Sequence, residues 1–569
     1  MEQTAVHAAA RSAAGPLTPT VPSGDRTTRQ LIIAAHLDPV FASQVVDEYL
    51  SEPLRSLPSS SGLNTAAVLS EAVAAHTRRR IRDWILLSTA AMLAILNVAS
   101  LVIWLVVAIA VRLMSKYRSS KSPVAQGALA VIGLVLAFVA FLLLSVLTAG
   151  VGLMSGVGGD VPGGLRFGIG AWFGSMLLFG GAIFAVLLAD EQVRWWIVTR
   201  SLPRFPVSGP RRPWPHEAEI RSLGVNRFRA QIDAVAQQAI RGNVLVFRGK
   251  RPFVGFGAPV RSSAFAMALV PTEDTGHDDR SDEDLPHRND GEMVARFLPT
   301  DLYQHVYREF QKLRTGDSLA PDMRLRNLEL SHFVAVDSEA ILDHLDSPRA
   351  AWILPNVNRA PTAAFSIEQL MEAANRPVEW MRYFQQIQVE SWDRELVVTL
   401  FLHVGCDDRM LYVDWTCCAL NPLRADFREL RPAHPPLRSA LGNLVTFPLS
   451  LPGRFQIALR RIGPGKRSRF VSAATYGTAH SIRELATADS ARSYFENADV
   501  HRYSSILIRH MSGAIADFLA SRGVSAREFV SRVTNILQQT INDNSIKIGG
   551  DNNAPVTGGT SNGPAGRST

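Results

Sequence analysis

His403, Cys406, Cys417 and Cys418 are the residues whose types could together hold a metal ion. A zinc site usually draws its ligands from closely spaced Cys or His pairs arranged to close a tetrahedron. The spacing here, H-x2-C-x10-C-C, follows no such pattern. Alternation along a strand would put Cys417 and Cys418 on opposite faces, and His403 and Cys406 likewise. Small buried thiols are the expectation, with no metal and no cofactor. Asp407 and Asp408 could act as paired acids, but they fall in a turn, where Asp is favoured for bonds to its own backbone. Asp414 with His403 across the same hairpin is one more acid–base pairing. These residues would support an alternative function, a hydrolase-like enzyme with its site in the 243–420 β region. That alternative needs His403, Asp414 and Asp407 to converge.

Two glycine-rich stretches, Gly249-Lys250 and Gly255-Phe256-Gly257, resemble a phosphate loop only loosely. Neither has the G-x-x-x-x-G-K-[ST] order or a helix behind it, so a β-hairpin explains them better. Residues 423–470 carry ten basic residues against two acidic ones. Few aromatics interleave them, so there is no stacking platform and nucleic acid is not an expected partner.

The elements that must position these residues read as α+β. Residues 216–241 form a helix. A hairpin follows, Asn243 to Arg248 and Phe253 to Phe256, with a further strand from Ser263 to Val270. Helices are expected over 300–314 and 366–376, and a strand over 325–336. Arg382 to Glu390, Leu396 to Gly405 and Met410 to Cys418 make an antiparallel meander. Residues 499–541 give a C-terminal helical pair, with Gly523 ending the first helix and Ser525 and Glu528 capping the second. Within 542–569, Ser545 to Ile548 is a lone strand ahead of a Gly/Asn-rich tail. That strand and the apolar stripes of the helical pair suggest homo-oligomerisation through the C-terminus.

Ahead of this lie three long apolar runs, Trp84 to Met114, Val124 to Met154 and Phe167 to Ala189, with Arg112 the one ionisable residue inside them. A membrane span needs about 20 apolar residues, so residues 83–189 read as a transmembrane block. Arg78, Arg79, Arg80 and Arg82 precede the first run, and Arg112, Lys116, Arg118 and Lys121 close it. By the positive-inside rule both flanks are internal, which favours a hairpin bent near Asn97 and puts everything after residue 190 in the cytoplasm. Trp195 and Trp196, beside Arg194, read as an interfacial anchor. Arg438, Arg454 and Arg460 bound an apolar segment, 437–461, which reads as a core segment of the soluble domain or, alternatively, as a face for anionic lipid headgroups.

Residues 1–27 read as a disordered tail and 28–82 as a short helical N-terminal module. Residues 1–30 lack an apolar core, so a cleavable signal peptide is not expected. Residues 190–215 form a juxtamembrane anchor and Pro-rich linker, and 216–498 the α+β domain. Nine acids crowd into 272–292, which reads as a solvated loop in that domain. Net charge is +8, but only six of the 59 basic residues are Lys, a skew that carries no functional information. Three cysteines make no disulfide framework.

The expected fold class is a multi-pass α-helical membrane block with a soluble α+β domain containing an antiparallel β-meander, a short helical N-terminal module and a C-terminal helical pair. The expected function is sensing, scaffolding or a membrane-effector role rather than catalysis. The lipid bilayer is the expected partner and the cell membrane the expected location. An oligomeric pore is the second alternative.

Overall fold

The computed structural model describes residues 26–58, 63–117, 133, 163–202, 212–271, 297–315, 325, 327–392, 394–428, 432, 434–459 and 472–544. It is a mixed α+β structure built on one six-stranded sheet. The strands are β1 (Val244–Phe247), β2 (Ala258–Ala268), β3 (Leu328–Asp337), β4 (Met381–Ser391), β5 (Leu396–Cys406) and β6 (Met410–Leu420). Their order is β1-β3-β4-β5-β6-β2. β1 runs parallel to β3, and every other neighbouring pair is antiparallel. Helices of seven residues or more are α1 (Arg26–Leu37), α2 (Pro39–Leu50), α3 (Thr65–Leu96), α4 (Val98–Tyr117), α5 (Gly163–Trp196), α6 (Glu217–Leu223), α7 (Arg229–Arg241), α8 (Pro299–Thr315), α9 (Ile367–Asn375), α10 (Pro436–Val445), α11 (Phe447–Leu459), α12 (Tyr494–Ser521) and α13 (Arg527–Asn544).

The expected hairpin after residue 243 does not form. Residues 253–256 are turns, and β1 pairs with β3 instead. Gly255 and Gly257 both take positive φ, which folds the segment back. Phe253 then stacks on Phe401 of β5 with ring centroids 4.1 Å apart, and Phe256 meets Phe333 edge-on. A Cβ on Gly257 would run into the carbonyl of Ala419, so that glycine serves close backbone approach rather than phosphate binding. The aromatic cluster covers part of one sheet face.

Helices α8, α9, α12 and α13 cover the other face. There Phe310, Met511, Ile515, Phe518 and Phe529 pack against Leu400, Leu402 and Trp415. The apolar stripes of the C-terminal pair are thus core of a single chain. A capping box does begin the first of these helices, but on Ser493 and Glu496. Ser525 instead gives its backbone N–H to the carbonyl of Val270. Gly523 ends α12 at φ 70°, the left-handed C′ position. The proposed strand Ser545 to Ile548, the acidic loop 272–292, the run Val124 to Met154 except Gly133, and the 1–25 part of the N-terminal tail lie outside the described residues.

The N-terminal module has its own core. Leu31, Phe41, Val45, Leu69 and Val73 bury against Trp214, Phe228 and Ile232. Pro39 opens α2, capped by Asp38, whose carboxylate accepts from the N–H groups of Val40 and Phe41. Ser56 joins this module to the sheet. Its N–H donates to Tyr476 O at 2.8 Å, and its Oγ accepts from Val246 N at 3.1 Å.

The multi-pass membrane block, and with it the cell-membrane location, is not supported. Among the described residues no helix is long and apolar enough to cross a membrane. Asn97 breaks the first run between α3 and α4. Its Oδ1 accepts from Ser100 N, and its Nδ2 donates to Ser175 Oγ. Thirteen residues, 84–96, eleven of them apolar, remain on α3, short of the ~20 a span requires. The apolar stretch of α5 ends at Ala189, ahead of the buried Asp190 and Glu191.

Two of the arginines that suggested a topology, Arg78 and Arg82, are paired with acids. Arg78 and Arg82 both reach Asp190, at 3.2 and 2.7 Å. Arg82 and Arg454 share Asp83, at 2.8 and 2.7 Å. Arg79 donates to the carbonyls of Ala35 and His36. Burial alone would raise the pKa of Asp190, but Arg78, Arg82 and Arg194 hold it well below the carboxylate range. A buried charge network, not a solvated basic flank, fixes these positions.

Candidate functional site

The sheet opens at one place. The β4–β5 ladder stops at Gln385↔Leu402, although β3–β4 pairing continues to Met381 and β5–β6 pairing to Cys406. Continued by two residues, it would set Tyr383 opposite Val404. Two side chains take up those backbone groups instead. The N–H of Val404 donates to the hydroxyl of Tyr303, from α8, at 2.6 Å. The carbonyl of Tyr383 accepts from His403 Nδ1 at 2.8 Å. With its partner a carbonyl, Nδ1 must carry the proton. Burial lowers the His403 pKa, so the ring is neutral and Nε2 keeps its lone pair.

A cavity of about 480 Å3 lies on the His403 side, lined by Arg382, His403, Asp414, Glu379 and Phe265. His403 and Asp414 are direct cross-strand partners, and Arg382 stands 3.5 Å from Asp414. Burial raises the Asp414 pKa, while His403 and Arg382 oppose that rise.

A second cavity, of about 440 Å3, lies on the opposite face between α8, α9 and the β3–β4 pair. Tyr303 and Tyr383 meet edge to face at 4.9 Å. His332 Nδ1 is 2.7 Å from the Tyr383 hydroxyl. Burial raises the Tyr383 pKa, and partial burial lowers that of His332, so both are neutral at pH 7. Gln385 is 2 % exposed, and its Nε2 donates to Tyr303 O at 3.2 Å. Its Oε1 is buried without a partner. Leu330, Leu370 and Met371 give the cavity apolar walls, and Arg308 stands at its lining. Volumes of this size, with apolar walls and a few placed polar groups, suit small molecules.

Residues 262–554, more than half of the chain, match the AbeC-like domain family. The chain belongs to that family. No curated protein and no solved structure matches it. The matched span of the AbeC-like domain takes in most of β2, all of β3 to β6, and both cavities; β1 and the N-terminal module precede it.

Within the AbeC-like domain the sequence candidates separate. Cys417 and Cys418 point into opposite cores, on the two faces of β6. Burial pushes the Cys417 thiol up to about 12 and that of Cys406 to about 11, which leaves neither thiolate for nucleophilic attack near neutrality. Among the described residues no group of three or more His, Cys, Asp or Glu side chains is placed to hold a metal. Asp407 closes the β5–β6 turn by accepting from Arg409 N and Met410 N, and its other oxygen takes the Tyr412 hydroxyl. His403 and Asp414 do meet, but Asp407 serves the turn. Of the lipid-contact candidates, Trp195 and Arg438 are exposed, whereas Trp196 packs against the N-terminal core. Arg194 pairs with Asp190 and Glu191, and Arg454 with Asp83. Arg460 lies outside the described residues.

Sequence reasoning missed Tyr303, His332, Tyr383 and Gln385. The available signal was Gln385 itself, a polar residue alternating with Tyr383 and Ile387 on the core face of β4.

Proposed function

We propose that this chain is a sensing protein whose α+β domain binds a small molecule in the cleft between α8, α9 and β3–β4. One observation carries the reading: a cavity of about 440 Å3 whose apolar walls, Leu330, Leu370 and Met371, stand beside a few polar groups, His332 and Arg308 among them. The neighbouring groups favour binding over catalysis. Tyr383 and His332 are neutral and bonded to each other, so no activated nucleophile stands beside them. Small molecules extracted from the purified full chain and identified by mass spectrometry test this. Met371→Arg, at an exposed position on α9, should block the cleft without unfolding the domain. A molecule retained by the native chain and absent from the variant is expected. Equal retention by both would refute the reading.

A second reading rests on a different face. Trp84, Ile85, Met92, Ile95, Val98 and Val102 of α3 and α4 are exposed, as are Leu177 and Leu178 of α5. Apolar surface of this extent marks an interaction site. Exposed Arg112 on α4, and Arg200, exposed and stacked on Trp196 in the turn Ile197–Ser201 that follows α5, supply positive charge. We propose that lipid with anionic headgroups contacts this face. Flotation with phosphatidylglycerol vesicles should carry the protein, more weakly as salt rises. Loss of flotation is expected for Ile95→Glu with Val98→Glu. No flotation of the native chain would remove the proposal.

A further inference from the structure

We infer that the cavity on the His403 side is a binding site for a small zwitterion, an α-amino acid with an apolar side chain. The site lies on the opposite face of the sheet from the α8–α9 cleft and does not depend on the sensing reading. Its polar groups are within reach. Arg382 and Asp414 keep 51 % and 29 % of their side chains exposed, and His403 is half-buried. Their bonding capacity is also unspent. Arg382 and Asp414 meet at 3.5 Å, longer than the ~2.8 Å of a formed charge-assisted hydrogen bond. Among the described residues neither side chain makes a hydrogen bond. His403 spends Nδ1 on the Tyr383 carbonyl, which leaves the Nε2 lone pair as an acceptor.

Charge selects the ligand. His403 and Asp414 are direct cross-strand partners on one sheet face, so their side chains stand side by side without bonding each other. Two adjacent acceptors ask for a donor with at least two hydrogens, and an ammonium group carries three. Its charge also offsets the burial that raises the Asp414 pKa. Arg382 presents a guanidinium that grips a carboxylate by two parallel bonds. An α-amino acid brings one group of each sign on a single carbon. A simple amine leaves Arg382 unmatched, and a simple acid meets Asp414 and Glu379. Pro377, Val378 and Ala264 line the rest and offer contact to an apolar side chain. A volume of about 480 Å3 holds such a molecule.

L-leucine is the probe, and titration calorimetry on the full chain is the measurement. Isoamylamine lacks the carboxylate, and 4-methylpentanoate lacks the ammonium. Each should bind at least tenfold more weakly than leucine. Arg382→Gln, at an exposed position, should weaken leucine about tenfold and leave isoamylamine unchanged. Asp414→Asn should weaken leucine and isoamylamine about tenfold and spare 4-methylpentanoate. Circular dichroism checks that both variants fold, and Arg382→Gln, on the surface, decides alone if Asp414→Asn does not. Met371→Arg, in the other cleft, should bind leucine as the native chain does. No binding of leucine overturns the inference. So does equal affinity for leucine and either fragment, or native affinity for leucine in Arg382→Gln. Leucine binding lost in Met371→Arg would assign the amino acid to the α8–α9 cleft and overturn the inference while leaving the sensing reading in place.

Discussion

His403 donates its Nδ1 hydrogen to the carbonyl of Tyr383 at 2.8 Å, at the point where β4 and β5 cease to pair. Arg382 and Tyr383 are successive residues, so they face opposite sides of the sheet, one toward each cavity. The imidazole thus ties the backbone behind one cleft to the charged pocket in front of the other. His403→Ala leaves that carbonyl without its partner. The expected loss is about 1–3 kcal/mol of unfolding free energy, read by urea titration. His403→Gln, which keeps an N–H donor, should lose less. Equal stability of the native and Ala chains would show that water replaces the imidazole.

Acid should weaken the N-terminal module through His36. This ring is fully buried and contacts Glu71 at 3.0 Å, while Arg221 meets the same carboxylate. Burial, partly offset by Glu71, lowers its pKa to about 4 from an ordinary 6.5. A depressed histidine pKa means the unfolded chain binds the proton first. The module's stability is therefore full above pH 6.5 and falls as pH drops toward 4. The loss over that window is on the order of 3 kcal/mol if the full shift is realised. Urea titrations at pH 7.5 and 4.5 measure it, and His36→Gln should flatten the difference. A pH slope unchanged in the variant would assign the effect to another group.

The meander was legible because its signal is local. Alternation through Leu396 to Gly405 and the Cys406-Asp407-Asp408-Arg409 turn fix β5 and β6 without reference to distant residues. The β1–β3 pair was not, since a parallel partner can lie anywhere along the chain. His403 opposite Asp414 could be read from the hairpin register, but the end of the β4–β5 ladder depends on Tyr303, on a helix that enters from elsewhere. The arginines at 78–82 misled for the same reason. A basic cluster ahead of an apolar run has one appearance whether it is solvated or paired, and only the fold brings Asp190 to it.

Asp190 is the most heavily used acid of that network, approached by Arg78, Arg82 and Arg194 within 3.3 Å. Asp190→Asn leaves three buried or half-buried guanidinium groups short of charge. Removing one partner of a buried ion pair costs about 3–5 kcal/mol, and a melting-temperature drop of several degrees should follow. A depressed carboxylate pKa stabilises above the ordinary carboxylate range and loses that contribution as pH falls through the folded value. The Asn variant should therefore also lose part of the acid sensitivity below pH 4. Native stability in Asp190→Asn would mean that Asp83 and Glu191 suffice.

Self-association is proposed to reside in residues 545–569 rather than in the helical pair. Both helices spend their apolar stripes inside one chain: Leu507, Ile508, Met511 and Phe518 of α12, and Phe529 and Val533 of α13, all sit in the core beneath the sheet. The large apolar residues these helices leave exposed are Tyr494 and Phe495, at the start of α12, and Val530 of α13. The alternating Ser545-Ile546-Lys547-Ile548 segment is what remains to pair between chains, since strands from neighbouring copies could supply each other's hydrogen bonds. Cutting after Asn544 keeps α13 and its core contacts. Cutting after Arg522 removes Phe529 and Val533, and should cost several kcal/mol through exposed cavity surface alone. Mass measured by light scattering on the full chain and on the chain ending at Asn544 is the decisive comparison, with circular dichroism to show that both are folded. A lower subunit count in the shorter chain is expected. Equal counts would mean that these residues do not join the copies.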